Sequence, residues 1–332
     1  MIGVPMHVLV TGGAGYIGSH MTALLLQEGF QVTVLDSLEK GHRDAVPDRA
    51  AFMLGNCGDA QLLERIFGEA SIDAVMHFAA YIEAGESMLE PGRFLVNNTA
   101  RPLILLEAML KAGVRKFVFS STAAIFGNPE YTPIDEGHPK HPTNAYGQSK
   151  LMLEAALDWL HRLRGLDFAA LRYFNAAGCS EHLGEDHQPE THLIPLVLDA
   201  ALGRRRSVHL YGTDYPTPDG TCVRDYIHVE DIARAHILAL RALGSGPLIY
   251  NLGNGHGYSV REVIETARRV TGLPIPVEEG PRRAGDPSHL VASSAKIRQE
   301  LGWEPRHPDL ETIIESAWHW RRAHPPRERI PG

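Results

Sequence analysis

Short apolar runs alternate with amphipathic segments along the first half of the chain. The runs are typical of buried strands and cover residues 8–10, 32–35, 74–78, 117–120 and 169–172. Between them, apolar residues recur with the helical period at residues 17–27, 60–67, 91–112 and 146–163. Strands that alternate with helices form a parallel sheet with helices on both faces. The predicted fold class is therefore α/β, with a Rossmann-type doubly wound parallel sheet.

The pattern becomes less regular after Asn175, where turn-rich stretches occur at residues 212–220 and 253–257. Strand-like runs at 226–229 and 248–251 indicate that the chain returns to the sheet before it finishes a smaller lobe. We therefore expect two interleaved domains. The first is a Rossmann domain over residues 1–175 with returns near 223–253, and the second is a mixed α/β lobe over residues 176–332.

Composition excludes several classes of protein. The 332 residues are 44% hydrophobic and carry a formal net charge of −8 without a long basic run, so nucleic acid is not an expected partner. No apolar stretch is long enough for a membrane span. Three cysteines without metal spacing predict a cytoplasmic protein without a disulfide framework. The 18 histidines include no His-Glu-x-x-His helix or comparable cluster, so no metal site is expected.

A glycine-rich turn at residues 12–18 follows the first predicted strand and opens the first predicted helix. Its Gly-x-Gly-x-x-Gly spacing at 13–18 is the dinucleotide fingerprint, in which glycines allow close backbone approach and the helix N-terminus favours a pyrophosphate. Asp36 ends the second strand, where a carboxylate accepts from a ribose hydroxyl and repels a 2′-phosphate. NAD is therefore favoured over NADP, although Lys40 and Arg43 lie nearby and could soften that preference.

Tyr146 and Lys150 place a phenol and an ammonium one helical turn apart on the same face. A phenol ionises near pH 10, so a base that works at pH 7 needs its pKa lowered by about 3 units, or about 4 kcal/mol. A cation about 4 Å away supplies energy of that order at an effective dielectric constant of about 20. Both Lys150 and the positive ring of an oxidised nicotinamide are candidates for that cation. The pair predicts a proton-transfer device beside a hydride acceptor.

Taken together, these motifs resemble the extended short-chain dehydrogenase/reductase family, and within it the UDP-glucose (UDP-galactose) 4-epimerases. The likeness covers nearly the full length of the chain. The blocks that carry it, in the family's order, are residues 11–18, 77–80, 85–87, 97–98, 119–122, 146–150, 172–175, 214–217, 223–229, 250–253 and 282–286.

The resemblance implies three catalytic residues. Tyr146, as phenolate, would take the proton from the C4 hydroxyl of the sugar while a hydride passes from C4 to NAD. Lys150 would hold the pKa of the phenol down and bind the nicotinamide ribose, and Thr122 would hydrogen-bond the same sugar oxygen. The hydride would then return to the opposite face of the 4-keto sugar.

The resemblance also implies the two binding sites and a homodimer. Cofactor-binding residues would be Gly12, Gly15, Tyr16, Ile17, Gly18, Asp36, Asn56, Cys57, Phe78, Ala79, Ala80, Asn97, Ser120, Tyr146, Lys150 and Tyr173. Residues that bind the UDP-hexose would be Thr122, Tyr146, Asn175, His192, Leu193, Tyr211, Arg224, Arg283, Asp286 and Leu290. Paired helices at 91–112 and 146–163 would form the dimer contact.

Some positions depart from the family's pattern. Asn56 stands where an aspartate often meets the adenine amino group, and Ile82 stands where some relatives place a lysine near the cofactor. Leu290 replaces a larger tyrosine of some hexose-restricted enzymes. The smaller side chain leaves room for an N-acetyl group, so UDP-N-acetylglucosamine is a second candidate substrate.

Other functions stay open. A nucleotide-sugar dehydratase needs an additional acid and base, whereas Ala123 and Ala124 follow Thr122 and cannot carry protons. An epimerase of a UDP-pentose or a UDP-uronate would share the same catalytic residues. A non-catalytic NAD-binding sensor could use the same fold, but it would not need Tyr146, Lys150 and Thr122 together.

Overall fold

The computed structural model describes residues 5–283 and 286–325. The strands are β1 His7–Thr11, β2 Gln31–Asp36, β3 Ala51–Leu54, β4 Ala74–His77, β5 Lys116–Thr122, β6 Asp167–Tyr173, β7 Asn175–Ala177, β8 Val208–Tyr211, β9 Val223–Arg224, β10 Tyr226–His228, β11 Leu248–Leu252, β12 Tyr258–Ser259, β13 Val277–Gly280 and β14 His289–Leu290. The helices are α1 Tyr16–Gln27, α2 Ala60–Glu69, α3 Ala84–Leu89, α4 Pro91–Leu95, α5 Arg101–Lys111, α6 Ala145–Arg164, α7 Leu193–Ala201, α8 Val229–Ala242, α9 Val260–Thr271, α10 Ala295–Leu301 and α11 Leu310–Ala323.

Seven parallel strands form the central sheet in the order β11-β6-β5-β4-β1-β2-β3. Alternate residues of each strand point to opposite faces, so Val8 and Val10 pack with α1 and α8, whereas Leu9 packs with α2, α5 and α6. The predicted α/β class and doubly wound parallel sheet are confirmed. The carboxyl ends of the strands meet along one edge, which is where ligands bind in such sheets.

One strand prediction is wrong. The run at 226–229 was expected to return to the main sheet, but β10 pairs with β7 in a separate two-stranded sheet. Among the described strands after β6, β11 alone joins the main sheet, alongside β6 at its outer edge. The predicted helix over 91–112 is also interrupted, because a π-helical segment at Val96–Ala100 separates α4 from α5.

The smaller lobe has its own apolar core between α7, α9 and α11, with β8 and β10 beside them. Side chains cap two of its helices. Ser259 and Glu262 form a capping box at the start of α9, and the Asp309 carboxylate accepts from the Thr312 amide at the start of α11. Among the described residues, no helix has the length and apolar content to cross a membrane.

Candidate active site

A cavity of about 270 Å³ opens at the carboxyl ends of β1, β5 and β6. Its walls come from the glycine turn, the start of α6, and the segment that leads into α7. The predicted site residues that line it are Gly12, Gly15, Tyr16, Ile17, Gly18, Phe78, Ala80, Ser120, Thr122, Tyr146, Lys150, Tyr173, Asn175, His192 and Leu193. One cavity therefore brings together predicted site residues between positions 12 and 193.

The glycine turn has backbone requirements that only glycine meets. Gly12 has a φ of 76°, and a Cβ built there would lie 2.4 Å from the Ala79 nitrogen. A Cβ at Gly18 would lie 2.0 Å from the Gly12 carbonyl oxygen. Gly15 is the N-cap of α1 and offers no side chain to the first amides of the helix. Those amides border the cavity without a side-chain cap, which suits an anionic ligand such as a pyrophosphate.

A second, smaller cavity of about 100 Å³ adjoins the first, and Gly12 and Gly15 line both. It is bordered by the remaining predicted cofactor residues, namely Asp36, Asn56, Cys57, Ala79 and Asn97. The two cavities together form a channel with the glycine turn in the middle, as an extended dinucleotide requires.

Asp36 stands at the carboxyl end of β2 and braces the glycine turn. One of its oxygens accepts from the Ala14 amide over 2.9 Å, and the other accepts from the Leu38 amide over 2.8 Å. Each carboxylate oxygen can accept a further hydrogen bond, so a ribose hydroxyl can still be bound. Lys40 forms an ion pair of 2.8 Å with Glu83. Glu83 therefore partly neutralises the positive charge that the sequence analysis expected to weaken the preference for NAD over NADP.

Asn56 and Asn97 are already engaged locally. The side-chain oxygen of Asn56 accepts from the Gly58 amide over 2.8 Å, and that of Asn97 accepts from Arg101 over 2.7 Å. Cys57 is buried, and burial raises the pKa of its thiol to about 11, so it remains a neutral wall residue.

Tyr146 and Lys150 lie in the first turns of α6, as the sequence predicted. Asn144 caps that helix by accepting from the Gly147 amide over 2.8 Å, which fixes the position of the turn that carries Tyr146. Thr122 ends β5, and its hydroxyl lies near enough to the Tyr146 phenol to lower the pKa of that group. The Lys150 ammonium donates to the Ser120 carbonyl oxygen over 2.9 Å. The Ser120 hydroxyl in turn bonds the Tyr173 phenol.

The electrostatics of the pair differ from the prediction. Enclosure by the cavity walls raises the pKa of Tyr146 above its ordinary value, the nearby Thr122 hydroxyl opposes that rise, and the charge of Glu83 adds to it. Burial lowers the pKa of Lys150 from 10.5 to about 7, opposed by Glu154. Lys150 is therefore only partly charged at pH 7, and the chain alone does not hold the pKa of the phenol down. The second candidate cation, an oxidised nicotinamide, would favour the phenolate when bound.

The remaining predicted sugar-nucleotide residues lie outside the cavity lining, in the smaller lobe. Arg224 forms an ion pair with Asp286, and the Arg283 guanidinium lies 4.0 Å from the centre of the Tyr211 ring. Residues 284 and 285 of the block at 282–286 lie outside the described residues. Leu290 packs against a small apolar cluster of Ala123, Ile125, Phe126 and Ile134.

The sequence of the chain matches a known protein family. The model of the NAD dependent epimerase/dehydratase family matches residues 8–253. The chain belongs to this family.

Members of the family are similar over nearly the whole chain. A UDP-glucose 4-epimerase of Halalkalibacterium halodurans is 53% identical, over 96% of this chain and 97% of its own. The crystal structure of a UDP-glucose 4-epimerase superposes with a TM-score of 0.94 at 48% identity, covering 97% of this chain and 100% of the other. The Brucella ovis UDP-glucose 4-epimerase in complex with NAD gives a TM-score of 0.91 at 44% identity, covering 94% and 97%.

Some residues of this epimerase-family site were missed at the sequence level. Glu83, Glu185 and His187 also line the larger cavity, as does Lys40, which the sequence placed near Asp36. No metal site is expected from the sequence, but Glu185, His187, Glu190 and His192 bring four potential metal-ligating side chains together. Their spacing, Glu-x-His-x-x-Glu-x-His, was the available signal, but it lies outside any helix and matches no common metal motif.

Proposed function

We propose that this protein is an NAD-dependent 4-epimerase that interconverts UDP-galactose and UDP-glucose through a 4-keto intermediate. One observation carries the proposal: Tyr146, Thr122 and Lys150 surround a single cavity that continues along the glycine turn. The close similarity to UDP-glucose 4-epimerases over nearly the whole chain agrees with it.

In this mechanism, bound NAD supplies the hydride acceptor for C4, the hydride donor for the return step, and a positive charge that favours the phenolate. Tyr146 takes the proton of the C4 hydroxyl as the C4 hydride leaves, and it returns the proton to the same oxygen when the opposite epimer forms. Thr122, whose hydroxyl lowers the pKa of the phenol, would hydrogen-bond the same sugar oxygen. Lys150 is held against the Ser120 carbonyl near the end of β5 and would bind the nicotinamide ribose.

The two residues after Thr122 disfavour dehydration. Ala123 and Ala124 occupy a short 3₁₀ turn directly after β5, at the position where an eliminating enzyme needs an acid and a base. Neither methyl group can transfer a proton.

In the proposed enzyme the two halves of the chain bind different ligands. Residues 1–175, with the return of the chain at β11, hold NAD, and the rest of the lobe over 176–332 holds the UDP moiety. Arg224 and Arg283 suit a diphosphate because a guanidinium engages phosphate oxygens in pairs. Arg224 would have to share its charge between that ligand and Asp286.

We further propose a homodimer that works in the cytoplasm. Several apolar side chains of the α5 and α6 region are exposed, namely Val96, Ile104, Met152, Trp159 and Leu163. Trp159 is 60% exposed and Leu163 72% exposed, a pattern typical of a surface that another chain covers. All three cysteines are free and buried, which suits a reducing compartment.

The test is analysis of the sugar nucleotide products after mixing the purified protein with UDP-galactose, without added NAD. We expect UDP-glucose to form, because the cofactor is regenerated in each cycle and can remain bound. Absence of conversion even after addition of NAD would contradict the proposal. UDP-N-acetylglucosamine would then be the next substrate to assay, because of Leu290.

A further inference from the structure

Four side chains that commonly bind metals converge at the wall of the larger cavity. They are Glu185, His187, Glu190 and His192, here called the Glu-His cluster, and their ligand atoms all lie within 4.8 Å of one another. Of the four, only His192 has a place in the predicted substrate site. The epimerase reaction therefore leaves most of the cluster without a role.

The spacing of the donor atoms suits a tetrahedral ion. His187 Nδ1 lies 3.2 Å from a Glu185 oxygen and 4.0 Å from a Glu190 oxygen. His192 Nδ1 lies 3.7 Å from the same Glu190 oxygen and in direct contact with Glu185. Zinc–ligand bonds of about 2.1 Å in a tetrahedron separate neighbouring donor atoms by about 3.4 Å. Small side-chain adjustments would bring all four donors to that separation.

Two buried atoms of the cluster lack hydrogen bonds within the described part of the chain. They are His187 Nδ1, which faces both carboxylates, and the Glu190 Oε2 atom. The Glu190 side chain is only 8% exposed, so water does not readily compensate for the missing partner. Its other oxygen accepts from the Thr191 and His192 amides over 2.8 and 2.9 Å, which fixes the orientation of the carboxylate.

The charges and the ligand types agree with a divalent transition-metal ion. Two carboxylates and two neutral imidazoles balance one doubly positive ion, which removes the repulsion between two buried acids. Imidazole and carboxylate are common ligands of Zn²⁺, and four protein ligands are typical of a structural site rather than a catalytic one.

Neighbouring groups hold the cluster's backbone in place, as a metal site requires. Arg321 donates to the Glu185 carbonyl oxygen over 2.9 Å while it is paired with Asp199. The His187 ring packs edge-on against Tyr16 with a centroid distance of 6.1 Å. The larger cavity, which Glu185, His187 and His192 line, gives an ion a route to the site.

From this arrangement we infer that Glu185, His187, Glu190 and His192 bind one Zn²⁺ ion. The ion fastens the segment at 185–192 across the start of α1. Because His192 is the N-cap residue of α7 and Leu193 begins that helix, the ion also fixes the part of the cavity wall that α7 provides.

The experiment measures metal content and metal affinity in tag-free protein purified without chelators. We expect about one zinc per chain by elemental mass spectrometry. After the ion is removed with a chelator, titration with Zn²⁺ should restore it and raise the thermal unfolding midpoint.

Glu190→Gln is the diagnostic variant, because glutamine keeps the size of the side chain and the acceptor for the Thr191 and His192 amides. Zn²⁺ affinity should fall at least about 100-fold, whereas the circular dichroism spectrum should not change. Glu181→Gln is the matched control, since the Glu181 side chain is 88% exposed and lies outside the cluster. His187→Ala provides a second ligand variant should Glu190→Gln fail to fold.

Zinc content near zero together with no Zn²⁺ binding by the stripped protein would overturn the inference. Unchanged Zn²⁺ affinity in both ligand variants would overturn it as well. None of these readouts uses turnover, so their outcome is independent of the proposed epimerase activity.

Discussion

The Lys150 ammonium donates a hydrogen bond to the main-chain carbonyl of Ser120 over 2.9 Å, in a position where the lysine is 2% exposed. A carbonyl compensates poorly for the water that an ammonium loses on burial, so the pKa of Lys150 is lowered to about 7. Burial of Lys150 therefore lowers the free energy of unfolding of the NAD-free protein at neutral pH.

This burial predicts a pH dependence of stability. Between pH 7 and pH 10.5 the unfolded chain holds the Lys150 proton while the NAD-free native state has released it, so the free energy of unfolding rises with pH across that window. The penalty is fully present below about pH 7. We expect Lys150→Met to remove about 2 kcal/mol of this rise between pH 7 and pH 9.

Chemical denaturation of NAD-free protein at several pH values measures the effect. The difference between wild type and Lys150→Met matters, because His192 titrates in the opposite direction in protein that is also free of metal: its pKa is raised to about 9 despite burial, through Glu185. Parallel stability profiles for the two proteins would contradict the lowered pKa of Lys150.

Tyr146→Phe removes the proton acceptor without changing the shape of the ring. Turnover of UDP-galactose should fall by a factor of about 10²–10⁴, the usual contribution of a positioned general acid or base. Retained NAD, measured after the protein is denatured, should be unchanged. Tyr131→Phe is the control, since Tyr131 bonds Asp135 at an exposed position outside the two cavities of the channel. Near-normal turnover in Tyr146→Phe would exclude this tyrosine as the acceptor.

Asn144→Ala tests whether the cap of α6 positions Tyr146 in the site as well as stabilising the helix. Loss of the hydrogen bond to the Gly147 amide should lower the free energy of unfolding by about 1 kcal/mol. It should also lower kcat, because the first turn of α6 carries Tyr146. Asp309→Ala removes the corresponding cap of α11, where Asp309 accepts from the Thr312 amide over 2.7 Å. That variant should lose similar stability at unchanged kcat, and equal effects on kcat would argue against positioning by Asn144.

Trp159→Glu tests the proposed dimer. A charge in the exposed apolar surface of α5 and α6 should convert the dimer to monomers of 36.5 kDa, as measured by light scattering after size-exclusion chromatography. Leu273→Glu is the control, because Leu273 is 38% exposed and follows α9 in the other lobe. A wild-type protein of monomer mass would refute the dimer.

The sequence revealed the central fold well because strands such as β1 and β5 are buried on both faces and appear as continuous apolar runs. β3 was missed because Ala51 and Leu54 are exposed at the sheet edge, so no such run marks it. The pairing of β10 was predicted wrongly because a short apolar run does not specify which neighbour it joins.

The site was predictable where contiguous motifs carry the chemistry. The glycine turn and the Tyr146–Lys150 spacing each identify a local structure. The direction of the pKa shift at Tyr146 was not predictable, since it depends on enclosure by β5, α6 and the segment before α7. The Glu-His cluster was missed because residues 185–192 adopt no regular secondary structure from which side-chain directions could be inferred.

The position of β11 has a consequence for how the protein is made. Its partner β6 is synthesised long before β11, so the nascent sheet keeps an open edge while the ribosome translates everything between Tyr173 and Leu248. At about 5–20 residues per second that interval lasts several seconds. An unpaired parallel strand is a template for wrong pairing between chains. Slowed translation in this interval should therefore favour aggregation, and a chaperone that shields β6 should suppress it.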